Sequence, residues 1–195
     1  MVDLSADFRL RNIDDYELWY GQKHQATELQ KRAVYGLTEF YREEIKLANL
    51  VSCTGCNAAT GMYPLLPLIS EKIIDLNNII ISLGTGVSGG GRKANENLLH
   101  SEISEGFSAY NVAKHRHLAE FDQEFTKAAK KLVKVSFTPH LLPQNRGILA
   151  TIFVKGDHVK IHALLKEFYS DEKFVHILPI NMPSSTKYIR GSNFC

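Results

Sequence analysis

No stretch of 18 apolar residues occurs in this sequence of 195, so no segment is expected to cross a bilayer as a helix. The opening residues, Met1 to Arg9, carry a charge at Asp3 and lack the apolar core of a signal peptide. Neither charge sign dominates. Lys and Arg number 23 against 21 Asp and Glu, a net charge of +2, which gives no argument for nucleic acid or an anionic membrane as partner. Cysteine is scarce: three residues, an odd count, fit reduced thiols in a cytosolic protein better than a disulfide framework. Internal repeats and low-complexity segments are absent. What is present, 44% apolar and 23% charged residues, suffices for one globular domain or one and a half.

Residues 2–5 read as the end of a buried strand, and residues 14–33 as a short helix followed by irregular structure. A short apolar strand is expected within 45–53. Residues 57–74, rich in Ala, Leu, Ile and Met, read as a helix that must hold Pro64 and Pro67 near its first turns or kink there. A buried strand over 79–83 leads into glycine-rich residues 84–92. Helices are expected over 119–132 and 158–169. Strands are expected over 133–137 and 148–154, joined by a proline-containing loop, 138–147. Near the end, 188–190 is strand-like and 191–193 turn-like. Helices and strands mix without a strict βαβ rhythm, which favours an α+β fold.

Chemistry concentrates in a few places. Cys56 follows Gly55 where an apolar run gives way to a helix start. Free backbone N–H groups and the positive dipole end there stabilise a thiolate, and Gly55 permits a tight turn that a side chain would block. The bland alternative is a small buried cysteine. Cys53 and Cys56 form a C-x-x-C pair, but only Cys195 remains to complete a zinc site, unless His115 and His117 join it; a thiol-redox pair is the other reading. Residues 84–89, Gly-Thr-Gly-Val-Ser-Gly, satisfy G-x-G-x-x-G literally, without the acidic residue about 20 positions on that a dinucleotide fold requires. The segment reads either as a surface loop or as a backbone nest with Arg92 behind it, able to hold a phosphate or carboxylate. His115 and His117 flank Arg116, with Glu120 three residues beyond His117. A helix starting there would let the carboxylate orient an imidazole near neutral pH. Arg9, Arg92 and Arg146 sit in loops beside strands, where planar donors suit an anionic substrate.

Taken in order, the segments 3–9 (Asp-Leu-Ser-Ala-Asp-Phe-Arg), 35–39 (Tyr-Gly-Leu-Thr-Glu), Gly55-Cys56, 86–93 (Gly-Val-Ser-Gly-Gly-Gly-Arg-Lys), His115-Arg116-His117, 136–140 and 146–150 resemble the N-acetyl-gamma-glutamyl-phosphate reductases of arginine biosynthesis, relatives of aspartate-semialdehyde dehydrogenase. The likeness runs over nearly the whole chain. It implies a remnant of an NADP-binding Rossmann-like domain over 1–54. It also implies a catalytic and dimerisation domain over 55–195, with a mixed, largely antiparallel sheet packed by helices. The chain would then be a piece of a longer enzyme, with weak or no NADP binding expected of this piece alone. Cys56 is implied as the nucleophile, His117 as acid/base oriented by Glu120, and His115, Arg92 and Arg9 as holders of phosphate or carboxylate. Tyr110 is implied to line the pocket, and Gly86, Ser88 and Gly89 to meet NADP. Which histidine is the base stays open. The expected partners are a small acyl phosphate and further copies of the chain, as a dimer or tetramer in the cytoplasm, with no metal, membrane or nucleic acid. Gly-Cys-Asn-Ala is more like the sister reductases of the carrier-linked lysine pathway, and a non-catalytic dimerisation module is a third reading.

Overall fold

The computed structural model describes residues 1–195. Strands β1 (Val2–Asp3), β2 (Val34–Gly36) and β3 (Val51–Cys53) pair in parallel with β3 in the centre. Between them in sequence lie helices α1 (Ile13–Tyr20), α2 (Thr27–Gln30) and α3 (Thr38–Leu47). The α1 helix starts where Asn12 accepts the Asp14 N–H at 2.8 Å and stops at Gly21, whose φ of 69° is left-handed.

The larger sheet holds β4 (Ile80–Gly86), β5 (Ser108–Ala109), β6 (Ser136–Leu142) and β7 (Ile148–Phe153) in the order β5-β6-β4-β7. The central β4–β6 pair is parallel and the two outer pairings are antiparallel, so the sheet is mixed and mostly antiparallel, as expected. Helices α4 (Cys56–Ser70), α5 (His100–Ile103), α6 (His117–Ala129), α7 (His158–Phe168) and α8 (Thr186–Ile189) complete the chain. None is long and apolar enough to cross a membrane.

One face of the larger sheet is covered. Ile81 and Leu83 of β4 and Phe137 of β6 alternate inward against Ala58, Met62, Leu65 and Ile69 of α4 and Phe121 and Phe125 of α6. The α4 residues recur every three or four positions, as a buried helical stripe must. Gly61 lets the two helices close, because a Cβ there would lie 2.6 Å from the Phe121 ring. Tyr35, Leu37 and Tyr41 join the same core, so the small sheet is not a separate body. Two buried carboxylates on successive turns of α6 fasten it. Glu120 accepts from Arg9 and Tyr35, and Glu124 from Arg11 and Tyr41.

Several expectations change. Pro64 and Pro67 lie mid-helix in α4 rather than in its first turns. Pro67 has no N–H, so the Tyr63 carbonyl four residues back loses its helical partner. The Tyr169 hydroxyl donates to that carbonyl at 2.5 Å, and burial, its largest influence, raises the Tyr169 pKa and keeps it a donor. Tyr169→Phe should therefore lower unfolding free energy by about 1–2 kcal/mol. A urea-unfolding difference near zero would show that another donor covers Tyr63.

Residues 84–86 are strand, not loop: Gly84 pairs with His140 and Leu149, and a side chain there would meet Leu142 Cδ1 at 2.7 Å. Likewise 138–142 continue β6 through Pro139. Its carbonyl accepts from Tyr110 N–H just beyond the end of the short β5 pairing, so the missing proline N–H falls where the ladder stops. Residues 133–135 lie outside the strand, and 188–190 fall in and after α8, which Ser185 caps by accepting the Lys187 N–H. Helix α6 begins at His117 and ends at Ala129, shifted back from 119–132.

Candidate active site

Helix α4 opens on Cys56 with Gly55 at its N-cap and no side-chain cap. The first-turn N–H groups therefore have no partner within the helix and present the positive end of its dipole at the thiol. Cys56 is exposed, which excludes the buried-cysteine reading. Asn57 beside it is buried; its Nδ2 donates to the Tyr110 hydroxyl at 3.2 Å, and its Oδ1 lies 3.8 Å from Cys56 Sγ.

Behind the thiol sits Glu120, with no exposed surface. It accepts the Gly55 N–H at 3.1 Å and an Arg9 Nη1 donor at 3.4 Å. It also accepts from the Tyr35 hydroxyl, which takes a hydrogen bond from Thr54 Oγ1 at 2.6 Å. His117, three residues earlier on α6, brings Nε2 to 3.7 Å from Glu120 Oε1, too long for a hydrogen bond. Its Nδ1 is buried without a partner. His115 packs edge-on against His117 at 4.6 Å between ring centroids, and its Nδ1 accepts the His117 N–H at 3.1 Å.

Gly55 earns its place differently from the expected turn. Its φ of −70° suits any residue, but a Cβ would lie 2.3 Å from His117 Nε2 and 2.8 Å from Glu120 Oε1. Glycine lets the Cys56 segment touch the imidazole and carboxylate directly.

Burial, with Arg9 and Arg116 nearby, lowers the His117 pKa to about 4; burial, with His117 and Arg116, does the same for His115. Burial raises Glu120, against the pull of Arg9, Tyr35 and Gly55. Glu120 is committed to those donors, so the two cations outweigh it at His117, and both imidazoles are neutral at pH 7. An unfolded histidine titrates near 6.5. Between pH 6.5 and about 4 the unfolded chain thus binds protons that the folded chain refuses, and stability falls as pH falls. Glu120 works in the opposite sense and returns part of the loss as it protonates. Urea unfolding at pH 7.5 and 4.5 should show His117 contributing a loss on the order of 2 kcal/mol, with less from the more exposed His115. Equal stability of wild type and His117→Asn across that range would show that His117 is not held neutral.

The structure thus gathers Cys56, His115, His117, Glu120 and Tyr110, and separates other candidates from them. Arg9 is mostly buried and directed inward, with Nε donating to the Cys53 carbonyl at 2.7 Å and Nη1 to Glu120; it supports the site rather than standing open to an anion. Arg92 is exposed and takes part in none of the hydrogen bonds or ion pairs of the Cys56 group. Gly86 is filled in: a Cβ would meet Arg146 N at 2.7 Å. Ser88 and Gly89 lie exposed in a 3-10 turn, Val87–Gly90. Tyr35 and Asn57 are additional members. Tyr35 stood in a motif without a role, and Asn57 had no signal beyond adjacency to Cys56. No three His, Cys, Asp or Glu side chains cluster as metal ligands, and all three cysteines are free thiols.

Such a thiol–imidazole–carboxylate arrangement at the mouth of a helix, over a half-covered mixed sheet, agrees with the family match. Residues 56–195 match the semialdehyde dehydrogenase dimerisation domain, and the chain belongs to that family. It is 60% identical over 195 residues to an N-acetyl-gamma-glutamyl-phosphate reductase of Cereibacter sphaeroides, and 57% identical over 196 residues to that of Roseobacter denitrificans. Both alignments take in 100% of this chain and 57% of the relative, so the chain spans little more than half their length. Among solved structures, aspartate semialdehyde dehydrogenase II from Vibrio cholerae superposes with a TM-score of 0.65 at 14% identity, over 98% of this chain and 59% of that one. Aspartate semialdehyde dehydrogenase with NADP from Candida albicans gives 0.54 at 15%, over 99% and 56%. At these identities the structures speak for the fold alone.

Proposed function

We propose that this chain carries the thiol, acid–base and dimerisation parts of an NADPH-dependent reductase that converts N-acetyl-gamma-glutamyl phosphate to N-acetylglutamate semialdehyde and phosphate in arginine biosynthesis. The observation that carries the reading is the exposed Cys56 thiol at the start of α4, next to Gly55, which packs against a mostly buried, neutral His117 whose Nδ1 has no partner. The whole-chain identity to reductases of that name supports the substrate.

The Cys56 thiolate attacks the acyl carbon, the phosphate departs with the bonding electron pair, and a thioester remains. The unprotonated His117 is ready to take the thiol proton, with Glu120 Oε1 3.7 Å from its Nε2. Tyr110 and Asn57 border the thiol. We assign His117 the acid/base role over His115 because only His117 touches the carboxylate; His115 packs behind it. NADPH supplies the hydride that reduces such a thioester. The residues here do not form a dinucleotide site by themselves, since Gly86 is occupied by the 145–146 backbone and residues 87–90 lead into no α-helix. The parallel β1–β3 sheet supports reading 1–54 as part of a Rossmann-like cofactor half, with 55–195 as the catalytic and dimerisation part.

The uncovered face of the larger sheet presents Ile80, Leu149 and Phe153, at 39%, 43% and 57% exposure. A second copy of the chain is the occupant that the family's dimerisation role favours. The three free thiols support a reducing, cytoplasmic setting.

The test is the reverse reaction of the complete enzyme: N-acetylglutamate semialdehyde, phosphate and NADP+ should yield NADPH, with no product when phosphate is omitted. Turnover confined to a carrier-linked aminoadipate semialdehyde would make this the lysine-pathway sister. No turnover with either would leave a dimerisation module.

A further inference from the structure

A second site lies outside the Cys56 group. Arg146, Lys187, Arg190 and His100 line a cavity of roughly 400 Å³ that contains no carboxylate. That volume lies in the range of small-molecule sites. None of the protein's ion pairs involves Arg146, Lys187 or Arg190. Three permanent cations around one concavity repel one another, and their field adds at its centre.

The cavity is built by close packing at two glycines. Loop 143–147 is fastened to the end of β4 by Gly86 N–H to the Gly147 carbonyl at 3.0 Å, Val87 N–H to Gln144 at 2.9 Å and Ser88 N–H to Asn145 at 3.1 Å. A side chain at Gly86 would strike Arg146 N at 2.7 Å, so glycine lets the Arg146 segment sit there. Gly147 has a φ of 113°, which L residues rarely adopt, and a Cβ there would meet Thr186 Cβ at 2.9 Å. Glycine at 147 thus brings α8, with Lys187, and the following Arg190 over the loop that holds Arg146. Segments far apart in sequence converge to place the cations, and none of them is held in an ion pair.

We propose that this cavity binds a phosphorylated small molecule, its phosphate held by the guanidinium groups of Arg146 and Arg190 and the ammonium of Lys187. Guanidinium forks match phosphate oxygens in pairs, and three cations suit a di- or trianion better than a single carboxylate. None of the lining residues belongs to the Cys56 group, so the site and the reductase reading stand or fall separately.

Calorimetric titration of this chain with inorganic pyrophosphate should give saturable 1:1 binding that weakens with added salt. The Arg146→Gln/Arg190→Gln pair and, separately, Lys187→Glu should each weaken it about tenfold or more. These side chains are exposed and form no ion pair, and the Lys187 ammonium rests only over the exposed Tyr188 ring, so both variants should keep the wild-type unfolding midpoint. Cys56→Ala should bind pyrophosphate as tightly as wild type. Displacement of pyrophosphate by NADP+ would identify the occupant as a nucleotide phosphate, and displacement by acetyl phosphate alone would identify an acyl phosphate. Absence of saturable binding, or equal affinity in the folded Arg146→Gln/Arg190→Gln variant, would overturn the proposal.

Discussion

Glu120→Ala should lower unfolding free energy by about 3–5 kcal/mol, the usual cost of stranding one partner of a buried ion pair. Three donors converge on this fully buried carboxylate: Arg9 Nη1, the Tyr35 hydroxyl and the Gly55 N–H. Removing it leaves a mostly buried guanidinium and two dipoles without an acceptor, and alanine opens a void beside His117. Glu120→Gln keeps the shape and one acceptor oxygen but turns an amide toward Arg9 or His117; we expect roughly half the loss. Urea unfolding at pH 7.5 measures both. A cost below about 1 kcal/mol for the alanine variant would mean that water reaches the pocket and that Glu120 does not hold the N-terminal segment.

The second large effect is chemical. Cys56→Ser in the complete enzyme should lower turnover on the order of 10³-fold or more, because the poorly nucleophilic hydroxyl cannot form the covalent intermediate efficiently. The side chain is exposed, so stability should change by less than about 0.5 kcal/mol. The contrast separates the two positions: Glu120 fails by unfolding and Cys56 by losing chemistry in an intact fold. Intact-mass measurement after mixing with the acyl phosphate gives the direct readout, an acyl adduct on the wild type and none on the serine variant. Turnover of the serine variant within tenfold of wild type would remove Cys56 from the mechanism.

How much of this was legible beforehand differs by element. Helix α4 shows in sequence because its apolar positions recur at helical spacing. Its prolines do not, because the Tyr169 hydroxyl that replaces one lost hydrogen bond lies 106 residues away from Tyr63. The strand through 84–86 was hidden by its glycines, which read as a loop until Leu142 and the 145–146 backbone are seen to occupy the space of their side chains. Residues 188–190 suggest a strand through their β-branched and aromatic side chains, whereas the Ser185 cap starts a short helix that takes in Tyr188 and Ile189.

By itself the sequence determined the reactive pieces: a cysteine at a helix start, a histidine pair, a carboxylate three residues beyond His117, and an α+β arrangement from the placement of apolar runs. Those depend on local chemistry and periodicity, which a linear chain displays. Only the tertiary structure decided that Arg9 and Tyr35 hold Glu120, that Gly55 is glycine because His117 needs its space, and that Arg92 stands apart while Arg146, Lys187 and Arg190 meet. Each of those outcomes depends on contacts between distant segments, and such proximity is set by the packing of the core, not by the order of residues in the chain.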